Sequence, residues 1–197
     1  MALFLASTSP RRQEILRNLG LVFEVVPTAF EETLGERHPD PPGLASEYAL
    51  RKMEHSDIPG RSGLAVTADT LVFLGDRILG KPRDREDARR MLSLLSGRAH
   101  GVVTALCLRD LEPGKTVLAS AVTQVVFDPI PDDLMERYLD WGEWIDKAGA
   151  YGIQGMAALF IREIDGCFFN VVGFPVNLFY QNLQQLGYRL EDFRVTR

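Results

Sequence analysis

The chain has 197 residues, 46% of them hydrophobic and 25% charged, with a formal net charge of −5 at pH 7. That is enough apolar material for one domain over 1–197, either compact or with two lobes around a cleft. The acidic balance argues against a protein whose main work is gripping nucleic acid, so any bound anion must meet cations gathered locally.

Leu3–Ala6 reads as a short buried strand. Ser9 follows as a helix N-cap with Pro10 at the first helical position, Ile15, Leu16 and Leu19 form the apolar stripe, and Gly20 stops the helix. Phe23–Val26 is predicted as a strand, residues 27–43 as an acidic, proline-rich loop, and Leu44–Ser56 as a helix. Leu64–Ala68 is a strand of small apolar residues ending at Asp69-Thr70. Leu71–Leu74 continues it, and Gly75-Asp76 turns it back into Arg77–Leu79. Asp84 caps the next helix, whose Ala88, Met91, Leu92 and Leu95 share a face before Gly97. Gly101–Leu108 and Val117–Phe127 are long strands joined at Glu112-Pro113-Gly114, and Asp132–Trp141 is a helix. Lys147–Gly155 is a glycine-rich loop, Ala158–Ile164 and Cys167–Val172 pair around Asp165-Gly166, and Val176–Leu186 is the last helix. The tail from Tyr188 reads as polar. Strands and helices interleave with several hairpins, which predicts an α/β fold on a mixed sheet.

Cys107 and Cys167 lie in apolar runs without metal-ligand spacing and read as reduced core thiols. His38, His55 and His100 sit in polar surroundings and read as surface residues. No apolar run is long enough to cross a membrane, and Met1–Ala6 breaks at once into polar and basic residues, unlike a secretory signal. Cytoplasmic residence with no membrane partner is the expectation.

Four constellations carry chemistry. Ser7-Thr8-Ser9-Pro10-Arg11-Arg12 joins a strand to a helix whose free N–H groups attract phosphate. Two arginines there oppose the helix dipole, a cost that a bound anion would offset; a capped helix with two solvated arginines is the equal alternative. Asp69 at the end of an apolar strand suits metal binding or activation of a nucleophile, or caps a turn. Gly75–Pro82 nearly matches a P-loop, but Pro82 replaces the required hydroxyl residue and no helix follows, so that reading is rejected. Lys81 in its Gly-Lys-Pro turn remains either a phosphate contact or a solvated lysine. In Lys147-Ala-Gly-Ala-Tyr-Gly-Ile-Gln154-Gly, small residues allow a close approach to a ligand. The Gln154 amide can pair with the N3–H and a carbonyl of uracil or thymine, or simply face solvent. Lys52 on a helix and Glu32 in the acidic loop are weaker candidates.

Together these segments resemble the Maf family of nucleoside triphosphate pyrophosphatases. The matching motifs run in order from Leu3 to about Leu186: Leu5–Arg12, Glu31-Glu32, Ala49–Lys52, Ala68-Asp69-Thr70, Gly80-Lys81-Pro82, Lys147–Gly155 and Asn170-Val-Val-Gly-Phe-Pro. The resemblance implies an elongated mixed sheet with a cleft between two lobes. It also implies metal-dependent hydrolysis of a triphosphate to a monophosphate and pyrophosphate. Asp69 matches the family's proton acceptor. Arg11, Thr70 and Gln154 match its substrate-preference positions, in the pattern of the dTTP and UTP branch. The expected chemistry follows. Ser7, Ser9, Arg11, Arg12, Lys52 and Lys81 hold the triphosphate. Magnesium or manganese sits on phosphate oxygens and Glu32 or Asp69, and Asp69 directs water to the α-phosphorus. The resemblance alone suggests a homodimer. The rivals are a division regulator without hydrolysis and a nucleotide sensor using the same pocket.

Overall fold

The computed structural model describes residues 1–33, 35–58, 60–112 and 114–194. Strand β1 (Leu3–Leu5) lies parallel to both β2 (Glu24–Val25) and β3 (Leu64–Leu74). β3 pairs antiparallel with β4 (Arg77–Leu79) and β5 (Ala99–Asp110). β5 pairs with β6 (Thr116–Phe127), and β6 with β7 (Ile161–Asp165), also antiparallel. The mixed sheet runs β2-β1-β3-β5-β6-β7, with β4 attached to β3. Among the described residues six α-helices flank it: α1 (Pro10–Asn18), α2 (Pro41–Glu54), α3 (Arg85–Leu95), α4 (Asp132–Trp141), α5 (Phe168–Val172) and α6 (Val176–Leu186). This is the expected α/β architecture.

Because successive side chains of a strand point to opposite faces, β3 packs against cores on both sides of the sheet. Ala65 and Leu71 pack with Tyr48, Ala49 and Met53 of α2. Leu64, Val66 and Ala68 pack with Ile15 and Leu16 of α1 and Phe179 and Leu183 of α6. A third core gathers Val72, Val102 and Phe127 against α3 and α4. The residues near Asp69 are thus held on both faces.

β1 covers β3 only from Leu64 to Val66, and β4 covers it only from Val72 to Leu74. Among the described residues, positions 67–71 have no strand partner on that side. The edge of β3 therefore opens where Asp69 lies, and strand order, rather than a strand end, sets it against the cleft. Asp69 is not terminal: it sits inside an eleven-residue strand, opposite Ala105.

Other expectations are corrected. α2 starts at Pro41 rather than Leu44, because the Asp40 carboxylate accepts from the Gly43 N–H and prolines suit the first turn. Phe168–Val172 is helical rather than a strand, and the returning strand is Ile161–Asp165. The tail is docked: Phe193 is buried and Leu21 bridges to Arg194. His100 is buried, and Cys167 is only partly so, while Cys107 is a core thiol. The strands that Glu112-Pro113-Gly114 connects are paired as expected; Pro113 itself lies outside the described residues.

Candidate active site

The centre of the site is an ammonium between two carboxylates. Lys52 Nζ donates to Glu32 Oε1 and to Asp69 Oδ1, both at 2.5 Å. α2 delivers the lysine across the open edge of β3, and Thr67 Oγ1 ties the strand to the helix through the Ala49 carbonyl at 2.6 Å. Tyr48, one turn before Lys52, donates its hydroxyl to the Thr33 carbonyl at 2.7 Å and packs against Phe30, which holds the Glu32 segment over the helix. Asp69 is 2% exposed, and its Oδ2 has no hydrogen-bond partner among the described residues.

Burial pushes the Asp69 carboxyl up to about 6; the Lys52 charge opposes this and the Glu32 charge adds to it. Burial also works to raise Glu32, but the charge and hydrogen bond of Lys52, together with the charge of Lys81, outweigh it and hold Glu32 low. One carboxylate is thus poised near neutrality, as a general base requires, while its neighbour stays ionised. No group of three His, Cys, Asp or Glu gathers among the described residues to hold a metal. Two hard oxygen donors, one with an unpartnered buried atom, still fit a divalent cation that draws its other ligands from phosphate and water.

The N-terminus of α1 faces the same space. Ser9 occupies the N-cap position, but its side chain makes no cap hydrogen bond; its N–H donates to Ser7 Oγ at 3.3 Å. The first turn carries no acidic residue. Arg11 is half-buried at the rim, whereas Arg12 is 9% exposed and largely committed to the protein. Its Nε donates to Gly173 O at 2.9 Å, Nη1 to Ser7 Oγ at 3.0 Å and Ala68 O at 2.9 Å, and Nη2 to Thr70 Oγ1 at 3.0 Å. A guanidinium has five N–H donors, so one is left for a ligand. Gly173 approaches this fork with φ of 110°, and a Cβ there would lie 3.2 Å from Thr70 Oγ1.

Thr104 Oγ1 donates to Asn170 O at 2.8 Å, so in the 2.9 Å contact between the two threonines the hydroxyl proton comes from Thr70. Thr70 therefore spends its donor inside the wall.

The opposite wall is the segment Lys147–Gly155. Gly149 has φ of 68°, and a Cβ there would sit 2.9 Å from Val72 Cγ1. Its N–H donates to Gly80 O at 3.0 Å, which ties the Gln154 segment to the Lys81 turn. Lys81 and Gln154 are exposed. Ser7, Ser9, Arg11, Arg12, Glu32, Lys52, Asp69, Thr70, Lys81 and Gln154 all line one cavity of about 800 Å³.

A family model described as Maf-like protein matches residues 2–186. The chain belongs to the Maf family. Its relatives include proteins named dTTP/UTP pyrophosphatase. The one from Desulforamulus reducens is 45% identical over 94% of this chain and 96% of its own length. The one from Thermococcus gammatolerans is 43% identical over 95% of this chain and 98% of its own. The one from Aquifex aeolicus is 42% identical over 95% of this chain and 96% of its own.

Several residues that shape this Maf cleft carry no advance signal. Asn170 is fully buried and accepts from the Thr104 N–H at 2.8 Å while donating to Val102 O and Thr123 Oγ1 at 2.9 Å each. Nothing local in its motif reveals that it ties α5 to β5 and β6. Tyr48 and Tyr151 resemble ordinary core aromatics until their hydroxyl partners are visible.

Proposed function

We propose that this chain hydrolyses dTTP and UTP to the nucleoside monophosphate and pyrophosphate, in the cytoplasm. The observation that carries the reading is the Lys52 ammonium bridging Glu32 and Asp69 at the bottom of a cleft rimmed by Arg11, Lys81 and the α1 N-terminus. The names of the relatives support the substrate class. Free thiols at Cys107 and Cys167 suit a reducing compartment.

Arg11, Lys81 and the first N–H groups of α1 hold the triphosphate, while Ser7 and Arg12 keep the β1–α1 turn in place. Lys52 orients both carboxylates. Asp69 accepts the proton of a water aimed at the α-phosphorus, in line with the departing pyrophosphate oxygen. Glu32 and Asp69 would hold a magnesium or manganese ion, which would neutralise charge on the leaving group. Catalysis is then mostly positioning and electrostatics, with no covalent intermediate. Gln154 reads the pyrimidine edge, and Arg11 and Thr70 shape the pocket beside it.

The test is a nucleotide panel with magnesium or manganese, its products resolved by phosphorus NMR. UTP and dTTP should give monophosphate and pyrophosphate, with GTP much slower. Tight UTP binding without product would instead make the chain a sensor and overturn the proposal.

A further inference from the structure

The strand that starts at Ala99 carries a buried histidine far from the carboxylates. His100 is 3% exposed, and its Nε2 lies 2.8 Å from the Tyr151 hydroxyl. The imidazole meets the Phe127 and Tyr151 rings edge-on, with centroids 4.8 and 5.4 Å away. Tyr151 lines the cleft three residues before Gln154.

Core packing does not account for this pair. Placing two polar groups in an apolar cluster costs free energy, more so here because His100 Nδ1 has no hydrogen-bond partner among the described residues, and two plain hydrocarbon side chains would fill such a space without that cost. The local backbone supplies a reason. Asp146 and Ala150 have φ of 59° and 62°, a left-handed conformation that aspartate tolerates but that alanine keeps only when its surroundings enforce it. Tyr138 donates to Ala150 O at 3.3 Å, and Glu143 accepts from the Met156 N–H at 2.8 Å just past Gln154. His100 ties the middle of the segment to the sheet.

We propose that His100 is a positioning residue for base discrimination: through its hydrogen bond to Tyr151 it fixes residues 151–154, and so the direction of the Gln154 amide. The inference rests on the reading of Gln154 as the base-facing residue.

Three variants test it: Tyr151→Phe, which deletes one oxygen; His100→Leu, which deletes the partner; and His100→Gln, which restores an amide near the old Nε2. For the two deletions, KM for UTP should rise about tenfold with kcat within about threefold, and the UTP-over-GTP ratio should fall about tenfold. His100→Gln should recover most of that ratio, which generic core damage would not allow. Amide exchange over residues 147–155 should quicken about tenfold in Tyr151→Phe, with β5 unchanged. Should His100→Leu fail to fold, Tyr151→Phe decides. Unchanged KM, selectivity and exchange in that variant would overturn the proposal, as would an equal loss of kcat for every nucleotide. A wild-type enzyme with no UTP-over-GTP preference would sink the Gln154 reading instead, and the exchange data would still decide whether His100 holds the segment.

Discussion

Arg12→Met replaces a buried guanidinium with an apolar chain of similar length. The change strands the Ala68 and Gly173 carbonyls, each now paired at 2.9 Å, and removes donors from Ser7 and Thr70. A buried carbonyl left without a partner costs about 1–3 kcal/mol, and breaking a buried charged network typically costs about 3–5 kcal/mol. Removing the charge returns part of this. Burial pulls the Arg12 guanidinium below its usual range, and the charges of Asp69 and Glu32 only partly compensate. We therefore expect a loss of about 3 kcal/mol, a large share of the stability of an ordinary domain. Arg12→Lys keeps the charge but not the planar fork, and one ammonium cannot serve both carbonyls; its expected loss is about 2 kcal/mol. Urea unfolding with matched m-values measures both. Arg12→Met within about 1 kcal/mol of wild type, with activity lost all the same, would refute the assignment and make Arg12 a substrate contact first.

Asp69→Asn keeps the shape but cannot take a proton, so kcat should fall about 10²-fold or more in a steady-state assay, and near-normal turnover would remove Asp69 from its role. Gln154→Glu exchanges a donor-acceptor pair for two acceptors and should move preference from UTP toward GTP by about 1–3 kcal/mol in relative kcat/KM; an unchanged ranking would refute the base contact. Burial lowers His100 to about 4, with the Arg98 backbone opposing it. The unfolded chain, with an ordinary histidine near 6.5, therefore takes up this proton first as pH falls. The contribution is fully present above about 6.5 and is lost on the way down to about 4, worth roughly 3 kcal/mol at most. The stability–pH curve of His100→Gln should be flatter than wild type across that window by up to that amount, and parallel curves would show that the histidine is not held neutral.

What could be read in advance follows from where the information lies. Pro10 and Gly20 bound α1, and Gly75-Asp76 turns β3 into β4, because these signals are local and chemical. Phe168–Val172 has strand-like composition yet forms a helix, since the three hydrogen-bond partners of Asn170 come from β5 and β6, far along the chain. Asp69 looks terminal because Thr70 interrupts an apolar run, whereas its exposure to the cleft depends on where β1 stops and β4 begins. The candidate site residues could be nominated from motifs. Their division of labour could not: nothing in Pro-Arg-Arg distinguishes Arg11 at the rim from Arg12 inside the wall. His100 reads as a surface residue for the same reason, because its partner is fifty-one residues away.

In the proposed reaction water is delivered to the α-phosphorus of a pyrimidine nucleoside triphosphate. Turnover of UTP in ¹⁸O-labelled water, followed by mass spectrometry of the products, tests it most directly. Attack at the α-phosphorus puts one labelled oxygen in UMP and none in pyrophosphate; label in pyrophosphate, or release of UDP and orthophosphate, would contradict it.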